Sequence, residues 1–182
     1  PFFLLRNSGL SFEQRIMKRA MDILISGAML ILASPFMLLT ALAIKLEDHG
    51  PALFKQERVT IGGRKFYIYK FRSMIVDAEK NGAQFSTKND SRITKVGKFI
   101  RATRLDELPQ LLNILKGDMS IVGPRPERQT YIDEFCQETP EFIYRLKVKA
   151  GLTGYAQIYG KYNTNPYDKL QMDLMYIAHP SI

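Results

Sequence analysis

The sequence predicts an α+β fold that is mostly helical, with a helix embedded in a membrane, amphipathic helices at its interface and a small β-hairpin. Three observations carry this prediction. Residues 23–44 form a run of 22 residues without a charged side chain. Apolar residues recur at helical spacing on both sides of that run. The pair Gly62-Gly63 separates two segments that alternate as strands do.

The composition describes one domain with a cationic surface. The chain has 182 residues, 46% of them apolar, which suffices for a single core and excludes a disordered chain. It carries 26 Lys and Arg against 18 Asp and Glu, a formal net charge of +8. We therefore expect anionic partners, such as nucleic acid, acidic lipid or phosphorylated substrates.

The remaining composition narrows the class. Cys136 is the single cysteine, so no internal disulfide can form and a reducing compartment is favoured. His49 and His179 lie far apart without ligand spacing around them, so a zinc site is not expected. No recognised nucleic-acid motif accompanies the positive charge, which disfavours nucleic acid as a partner. Because residue 1 is proline, we expect a piece of a longer chain or a processed form.

The first predicted element is an amphipathic helix over SFEQRIMKRAMDI, residues 11–23. Ser11 and Gln14 fit a capping box at its start. One face of the helix is apolar, and basic residues lie elsewhere on it. The apolar positions are Phe12, Ile16, Ala20 and Ile23, and the basic ones are Arg15, Lys18 and Arg19.

The uncharged run would be about 33 Å long as a straight helix, enough to cross a bilayer core. Pro35, at its middle, leaves the carbonyl of Ile31 without a backbone donor, and the Ser34 hydroxyl can bond to an upstream carbonyl and permit a kink. The helix either spans with a kink or turns at Ser34-Pro35 and returns to the same face. Basic residues flank both ends, which modestly favours re-entry. An ordinary buried core helix is the less favoured alternative.

A β-hairpin is predicted next, over ALFKQERVTIGGRKFYIYKFRSM, with Gly62-Gly63 as the turn. By period two, one face of the second strand carries Phe66, Ile68, Lys70 and Arg72. RITKVGKFIRATR then predicts a helix with a basic stripe of Arg92, Lys95, Lys98 and Arg101. The stripe fits a solvated face as well as a face on anionic lipid headgroups, and spacing alone does not separate the two.

The segment RATRLDELPQLLNILKG places Asp106 and Glu107 side by side. A stripe of leucines predicts a helix over about 106–116 that stops at Gly117, with Asp106 as N-cap and Pro109 in the first turn. A structural role would account for the pair by itself, because acidic residues at a helix N-terminus are stabilised by roughly 0.3–1 kcal/mol each.

The neighbouring arginines favour a site instead. Arg101 and Arg104 precede the carboxylates, and Arg125 stands between two prolines in GPRP, where its backbone has little freedom. Arginines, carboxylates and a helix N-terminus together fit a phosphate with a divalent cation. The carboxylate nearest the helix end is then expected to stay ionised at neutral pH and to act as a nucleophile.

At these residues the chain resembles the catalytic domain of the bacterial sugar transferases that make polyprenyl-diphosphate-linked sugars, the monotopic phosphoglycosyl transferases. The matching pieces occur in family order over roughly residues 15–178. They are KRAMDI, the apolar run with central SP, FYIYKFRSM, GKFIRATRLDELPQLLNILKGDMSIVGPRP and GLTGYAQIYGK. The stretch LDELPQLLNILKGDMSIVGPRP is long and highly specific.

The resemblance implies transfer of a sugar 1-phosphate from a UDP-sugar to undecaprenyl phosphate with release of UMP. This would be the first membrane step in the assembly of exopolysaccharide, capsule, O-antigen or another glycoconjugate. By resemblance, Asp106 would attack the phosphorus attached to the sugar and form a covalent aspartyl phosphosugar, and Glu107 would hold Mg²⁺. The implied substrate contacts are Lys70, Arg72, Arg101, Arg125, Gln157, Lys161 and Asp173.

The resemblance also implies a location at the bacterial cytoplasmic membrane, in contact with anionic lipids. Residues 1–48 would form the amphipathic helix and a re-entrant helix broken at Ser34-Pro35, and residues 49–182 would be the cytoplasmic catalytic portion of the same domain. Long family members carry further transmembrane helices and a soluble domain that are often linked to dimerisation, so a homodimer is expected of a full-length protein. A scaffold that holds anionic lipid on its basic face is the rival prediction.

The last forty residues depart from the family pattern. Lys149-Ala150-Gly151 stands where Arg-Pro-Gly is frequent, and Tyr159-Gly160-Lys161 where Asn-Gly-Arg is frequent. Lysine cannot reproduce the bidentate geometry of arginine, so the nucleotide and sugar contacts of this part, and the sugar, stay open. A final helix is predicted with Asn165 as its cap and Pro166 as its first residue. Asp173 on that helix fits a site role as well as a solvated flank.

Overall fold

The computed structural model describes residues 10–78, 80, 90–160 and 165–178. In chain order its helices and strands are α1 (Phe12–Asp48), β1 (Leu53–Val59), β2 (Lys65–Phe71), α2 (Lys95–Ala102), α3 (Gln110–Lys116), β3 (Ser120–Val122), α4 (Gln129–Glu138), β4 (Gly151–Thr153), α5 (Tyr155–Ile158) and α6 (Pro166–Ala178). Short 3₁₀ segments lie at Ile61–Gly63, Leu105–Glu107 and Pro140–Lys147. Helices predominate, and the two small sheets of the described residues pair β1 with β2 and β3 with β4, as expected of the α+β class.

The chain groups into two compact units. The DELP unit comprises the described residues within 28–56 and 68–112, and the GPRP unit those within 1–27, 57–67 and 113–182. We name each unit after the sequence motif that it contains. The predicted division of the chain at residue 48 stays a prediction.

Helix α1 joins the two segments that the sequence separates, the amphipathic stretch and the apolar run. The predicted capping box is confirmed: the Ser11 N–H donates to Gln14 Oε1 at 2.9 Å, and the Gln14 N–H donates to Ser11 Oγ at 3.2 Å. The Ser34 hydroxyl donates to the carbonyl of Ile31 at 2.8 Å. This is the carbonyl that Pro35 leaves without a backbone donor, so the helical path continues through the proline. The re-entrant turn stays a prediction.

The apolar run of α1 is not a core helix. By length and composition α1 could cross a membrane. Only 11% of its most apolar 18-residue stretch is buried within the described residues. Large side chains such as Ile31 and Leu32 are each 75% exposed. The alternative of an ordinary buried helix is therefore wrong.

The DELP unit has its own core at the C-terminal half of α1. Ile44, Phe71 and Ile100 are buried together there, with Met37, Ala41, Val96 and Leu105 packed around them. Glu47 accepts hydrogen bonds from the Lys95 and Val96 backbone N–H groups and so binds the start of α2 to the end of α1. Gly97 is required in α2, because a Cβ there would lie 2.0 Å from the Ser73 carbonyl oxygen. These contacts fix α2 beside the end of β2.

The GPRP unit is built on a second core and on the parallel pair of β3 and β4. The core consists of Val59, Ile132, Phe142 and Leu170. In the register of the two strands Ser120 pairs with Gly151 and Val122 with Thr153. The start of α1 belongs to this unit: Asp22 accepts hydrogen bonds from the Ser120 hydroxyl and the Ile121 N–H, at 3.0 and 2.9 Å. The KRAMD segment thus holds the strand that leads into GPRP.

Two further predicted elements are confirmed. β1 and β2 pair across the turn at Gly62 and Gly63, which both have positive φ angles, as glycine allows. In the last helix Pro166 is the first residue of α6, and Asn165 Oδ1 accepts a hydrogen bond from the Asp168 N–H at 2.7 Å. Both signals involve residues a few positions apart, so the local sequence is enough to specify them.

Candidate active site

Asp106 and Glu107 lie in the 3₁₀ turn Leu105–Glu107, and α3 begins only at Gln110. The predicted helix from 106, with Asp106 as its N-cap, is therefore wrong. The N–H groups of Leu108, Leu111 and Leu112 each donate to the carbonyl three residues earlier, at 3.2, 3.1 and 3.1 Å. The backbone around Pro109 therefore follows the tighter 3₁₀ pattern instead of an α-helix.

Arg104 directs the chain into this turn. Its backbone is left-handed, with φ 60° and ψ 14°, a conformation that a non-glycine residue adopts at some cost in free energy. Arg104 thus follows the end of α2 at Ala102 and leads directly into the 3₁₀ turn that carries Asp106. Such strain is characteristic of functional sites, where the surrounding structure holds it in place.

The DELP unit brings four of the predicted site residues together. Lys70 extends from β2, and its Nζ lies 3.7 Å from Glu107 Oε1. Arg104 Nη1 lies 3.9 Å from the same oxygen. Arg101, in the last turn of α2, is near enough for its charge to act on Asp106. Lys70, Arg101, Asp106 and Glu107 therefore form one cluster, and their roles toward a substrate stay predictions.

Asp106 occupies an unusual position within this cluster. Its Oδ1 atom is buried and has no hydrogen-bond partner among the described residues. Burial raises the pKa of the Asp106 carboxyl above its ordinary value, and repulsion from Glu107 raises it further, while Lys70, Arg101 and Arg104 act in the opposite direction. A carboxylate oxygen that is desolvated and not hydrogen-bonded keeps its lone pairs available, as a nucleophile requires.

The carboxylate pair fits a magnesium ion that arrives with a phosphorylated substrate. No group of three or more His, Cys, Asp or Glu side chains within residues 10–78, 80, 90–160 and 165–178 could hold a metal ion. Mg²⁺ is commonly held by one or two carboxylates, with water and substrate phosphates as its other ligands. Glu107 provides one such carboxylate, directly beside Asp106.

Arg72 has a different position from the other predicted contacts. Its side chain is 7% exposed, its guanidinium pairs with Asp48, and its Nε donates to the Pro51 carbonyl at 2.6 Å. Arg72, which directly follows β2, therefore connects the end of that strand to the end of α1. Direct contact of Arg72 with substrate stays a prediction. Its contacts in the structure support a different role, in which Arg72 holds the end of β2 in position.

In the GPRP unit Asp173 and Arg125 are linked through a residue that the sequence did not single out, Arg145. Arg145 Nε donates to Asp173 Oδ2 at 2.7 Å, and its Nη2 donates to the Arg125 carbonyl at 3.0 Å. Asp173 is 1% exposed, so the alternative of a solvated helix flank is wrong. Burial raises the pKa of Asp173, and the Arg145 charge opposes that shift. This buried pair fixes the backbone of the GPRP loop.

Gln157, in the GPRP unit, also has an unsatisfied acceptor atom, as Asp106 has in the DELP unit. Its Oε1 is buried without a hydrogen-bond partner among the described residues, and its Nε2 lies 3.5 Å from the Gly123 carbonyl. Lys161, the other contact predicted nearby, lies outside the described residues.

The comparison with protein families decides the assignment. The family model described as "Bacterial sugar transferase" matches residues 13–182, nearly the whole chain. This chain belongs to the bacterial sugar transferase family.

Relatives of this bacterial sugar transferase differ in the sugar that their names specify. A UDP-N-acetylgalactosamine-undecaprenyl-phosphate N-acetylgalactosaminephosphotransferase from Aeromonas hydrophila is 49% identical over 168 residues, 91% of this chain and 40% of the relative. A UDP-glucose:undecaprenyl-phosphate glucose-1-phosphate transferase from Escherichia coli (strain K12) is 42% identical over 187 positions, 100% of this chain and 40% of the relative. An undecaprenyl-phosphate galactose phosphotransferase from Salmonella typhimurium is 38% identical over 182 positions, 92% of this chain and 37% of the relative. The chain thus spans about two fifths of the length of each.

Sequence reasoning missed several residues that build the site of this sugar transferase. Arg145 lies in EFIYRLK, which reads as an ordinary amphipathic segment, and Asp48 ends a helix where acidic residues attract no attention. Arg19 was noted only as a basic flank, but it donates to the carbonyls of Ile114 and Leu115 at 2.6 and 2.7 Å and caps the end of α3. No local pattern indicates these partners, because they lie far away in the sequence.

Proposed function

We propose that this chain is the catalytic portion of a phosphoglycosyl transferase, which moves a sugar 1-phosphate from a UDP-sugar to undecaprenyl phosphate. The observation that carries the proposal is the buried Asp106 carboxylate, whose Oδ1 is unpartnered, beside Glu107 and the cations Lys70, Arg101 and Arg104. The names of the three relatives described above agree on undecaprenyl phosphate and support this acceptor.

In the first half-reaction an Asp106 oxygen attacks the phosphorus that bears the sugar. A bond forms between that oxygen and phosphorus, and the bond from phosphorus to the bridging oxygen of the diphosphate breaks. The bridging oxygen leaves with its electron pair as part of UMP. Lys70, Arg101 and Arg104 neutralise charge on the phosphate oxygens, which is the main requirement of phosphoryl transfer.

In the second half-reaction an oxygen of undecaprenyl phosphate attacks the same phosphorus. The bond to Asp106 breaks, the aspartate is regenerated, and the product is a sugar linked to undecaprenyl diphosphate. The lipid phosphate is already an anion and needs little deprotonation, so the reaction does not require a histidine base. Two successive displacements imply ping-pong kinetics.

Glu107 would hold Mg²⁺ beside Asp106, where the ion would supply charge neutralisation on the diphosphate. Gln157 is proposed as a substrate contact: its buried Oε1 lacks a donor, and sugar hydroxyls and the uracil N–H are donors. Lys161 and Arg125 are retained as proposed contacts on the family pattern. The sugar itself is left to experiment.

We also propose that α1 lies in the bacterial cytoplasmic membrane, with the site around Asp106 on the cytoplasmic face. The large exposed apolar side chains of α1 support this placement, because exposing them to water would be unfavourable. On α2, Phe99 is 62% exposed, and Lys95 and Lys98 are exposed as well. An apolar and basic surface of this kind suits anionic headgroups and brings the site near a lipid substrate.

The test is release of UMP by the purified full chain in lipid nanodiscs, supplied with undecaprenyl phosphate, Mg²⁺ and a panel of UDP-sugars. We expect UMP with at least one sugar, and a radiolabelled phosphosugar adduct on the protein when the lipid acceptor is omitted. Asp106→Asn should abolish the adduct. Lipid binding without UMP release from any sugar would favour the scaffold, and full turnover by Asp106→Asn would overturn the covalent route.

A further inference from the structure

Gln110 is a polar side chain that is almost completely buried beside the DELP motif. It is the first residue of α3, directly after Pro109, and it is 2% exposed. Its Nε2 atom is buried and has no hydrogen-bond partner among the described residues. Leaving a buried amide donor without an acceptor costs roughly 1–3 kcal/mol, so such groups are rare unless they serve a ligand.

The surrounding packing gives no structural reason for an amide at this position. Its neighbours Pro109 and Leu111 are buried, and an apolar side chain of similar volume would pack there without the cost of an unsatisfied donor. Helix α3 has fewer than two turns after Gln110, and the Nε2 donor bonds to none of the described residues, so it does not cap the helix. The amide therefore weakens the fold unless an acceptor arrives.

The matching unsatisfied acceptor lies one turn earlier in the same motif. The chain follows a helical path from Leu105 to Lys116, first as a 3₁₀ turn and then as α3, and residues four positions apart on such a path lie on neighbouring turns. Asp106 and Gln110 have this spacing. Each has a buried side-chain atom without a partner, and these atoms are not bonded to each other. A group bound on Asp106 would therefore form beside an amide that lacks an acceptor.

We propose that Gln110 is a further catalytic residue, whose amide N–H donates a hydrogen bond to an oxygen of the phosphoryl group as it transfers to and from Asp106. This inference rests on the proposed function. The proton stays on the amide nitrogen throughout, because the amide is a neutral donor and does not titrate. A buried donor aimed at developing negative charge is worth about 10²–10³ in rate in acyl-transfer enzymes, and we expect a similar effect on phosphoryl transfer.

The test compares Gln110→Met with the wild-type chain in the same nanodiscs. Methionine keeps the length and volume and removes both the donor and its unsatisfied cost. We expect the rate of adduct formation and kcat for UMP release to fall about 100-fold, with KM for the UDP-sugar changed less than threefold and the pH profile of kcat/KM unshifted. The melting temperature should be unchanged or higher.

Gln129→Met is the matched control, since Gln129 lies on α4 and its amide donates to Asp133 at 2.7 Å near the surface. Its kcat should stay within twofold of the wild type. If Gln110→Met does not fold, Gln110→Glu serves instead, because it keeps the shape and replaces the donor by an acceptor. We expect it to lose at least as much rate.

The outcomes separate this inference from the proposal on which it rests. If the wild type releases no UMP from any UDP-sugar, the proposed function fails. If the wild type turns over and Gln110→Met or Gln110→Glu forms adduct within threefold of its rate, the role of Gln110 is overturned. A lower melting temperature for Gln110→Met with unchanged kcat per folded molecule would assign Gln110 to the fold.

Discussion

Replacing Asp106 by asparagine is expected to inactivate the chain and, at the same time, to stabilise it. Asparagine keeps the shape of the side chain and removes its charge. In the wild type the charged carboxylate is desolvated, lies beside Glu107 and has an unpartnered Oδ1, and burial and repulsion together raise the pKa of Asp106 despite three nearby cations. The folded state therefore disfavours the ionised form, and neutralising it should increase the free energy of unfolding.

The magnitude follows from the unsatisfied oxygen. A buried acceptor without a partner costs roughly 1–3 kcal/mol, and a neutral amide should recover about 1 kcal/mol of it. For a domain of this size about 1 kcal/mol corresponds to a rise of about 2–4 °C in melting temperature. Because the folded pKa of Asp106 is raised, the folded chain holds a proton that the unfolded chain has lost between the two pKa values. Wild-type stability should fall with rising pH through that interval, so the advantage of Asp106→Asn should be smallest at acidic pH.

Glu107→Gln is the matched control and is expected to act in the opposite direction. Glu107 lies 3.7 Å from Lys70 and 3.9 Å from Arg104, and its side chain is only 12% exposed. Removing this charge should destabilise the chain, by between about 1 kcal/mol for an exposed pair and about 3 kcal/mol for a buried one. Melting of both variants in nanodiscs, followed by circular dichroism, measures the contrast. If Asp106→Asn melts below the wild type, as Glu107→Gln should, the Asp106 carboxylate supports the fold and the reasoning is refuted.

Two further predictions concern residues that hold the fold together, and a third concerns the membrane topology of α1. Asp173→Asn leaves the buried Arg145 guanidinium without its countercharge and should destabilise the chain by about 3–5 kcal/mol in thermal melts. The control is Asp168→Asn, which is exposed on the same helix and should change stability by less than about 0.5 kcal/mol. Equal effects of the two substitutions would contradict the role of the buried pair. Arg19→Ala removes two short hydrogen bonds to the end of α3 and should lower the unfolding free energy by about 1.5–3 kcal/mol. Arg15→Ala is the control, because Arg15 is exposed. If the two variants melt at the same temperature, the cap formed by Arg19 is dispensable. The third prediction uses a chain that lacks Cys136 and keeps whatever precedes residue 1, with a single cysteine introduced at Ser11 or at Lys95. Both cysteines should escape a membrane-impermeant thiol reagent in intact cells and react with it after permeabilisation. Labelling of the Ser11 cysteine from outside would indicate that α1 spans the membrane instead of re-entering.

The signals that depended on a few consecutive residues were sufficient to predict local structure. The capping box of Ser11 and Gln14, the turn at Gly62-Gly63 and the Asn165 cap each involve groups within three positions, and all are confirmed. The hydroxyl of Ser34 also bonds where the missing N–H of Pro35 requires it. The start of α3 is where the local pattern fails, because N–H groups around Pro109 bond to carbonyls three residues earlier, as in a 3₁₀ turn, and α3 begins only at Gln110. The left-handed Arg104 had no signal, since arginine rarely adopts that conformation.

The sequence alone was sufficient to predict the pair of carboxylates among cations, the long apolar helix and the motifs that place the chain in its family. The tertiary structure decided which of these groups are available to a ligand and which are committed to the fold. Arg72 and Arg145 are committed through partners 24 and 28 residues away, and Arg19 through carbonyls about 95 residues away. Asp106 and Gln110 keep unpartnered atoms although both are buried. The physical reason is that the hydrogen-bond partners and desolvation of a side chain depend on what packs against it, and residues far away in the sequence supply that packing.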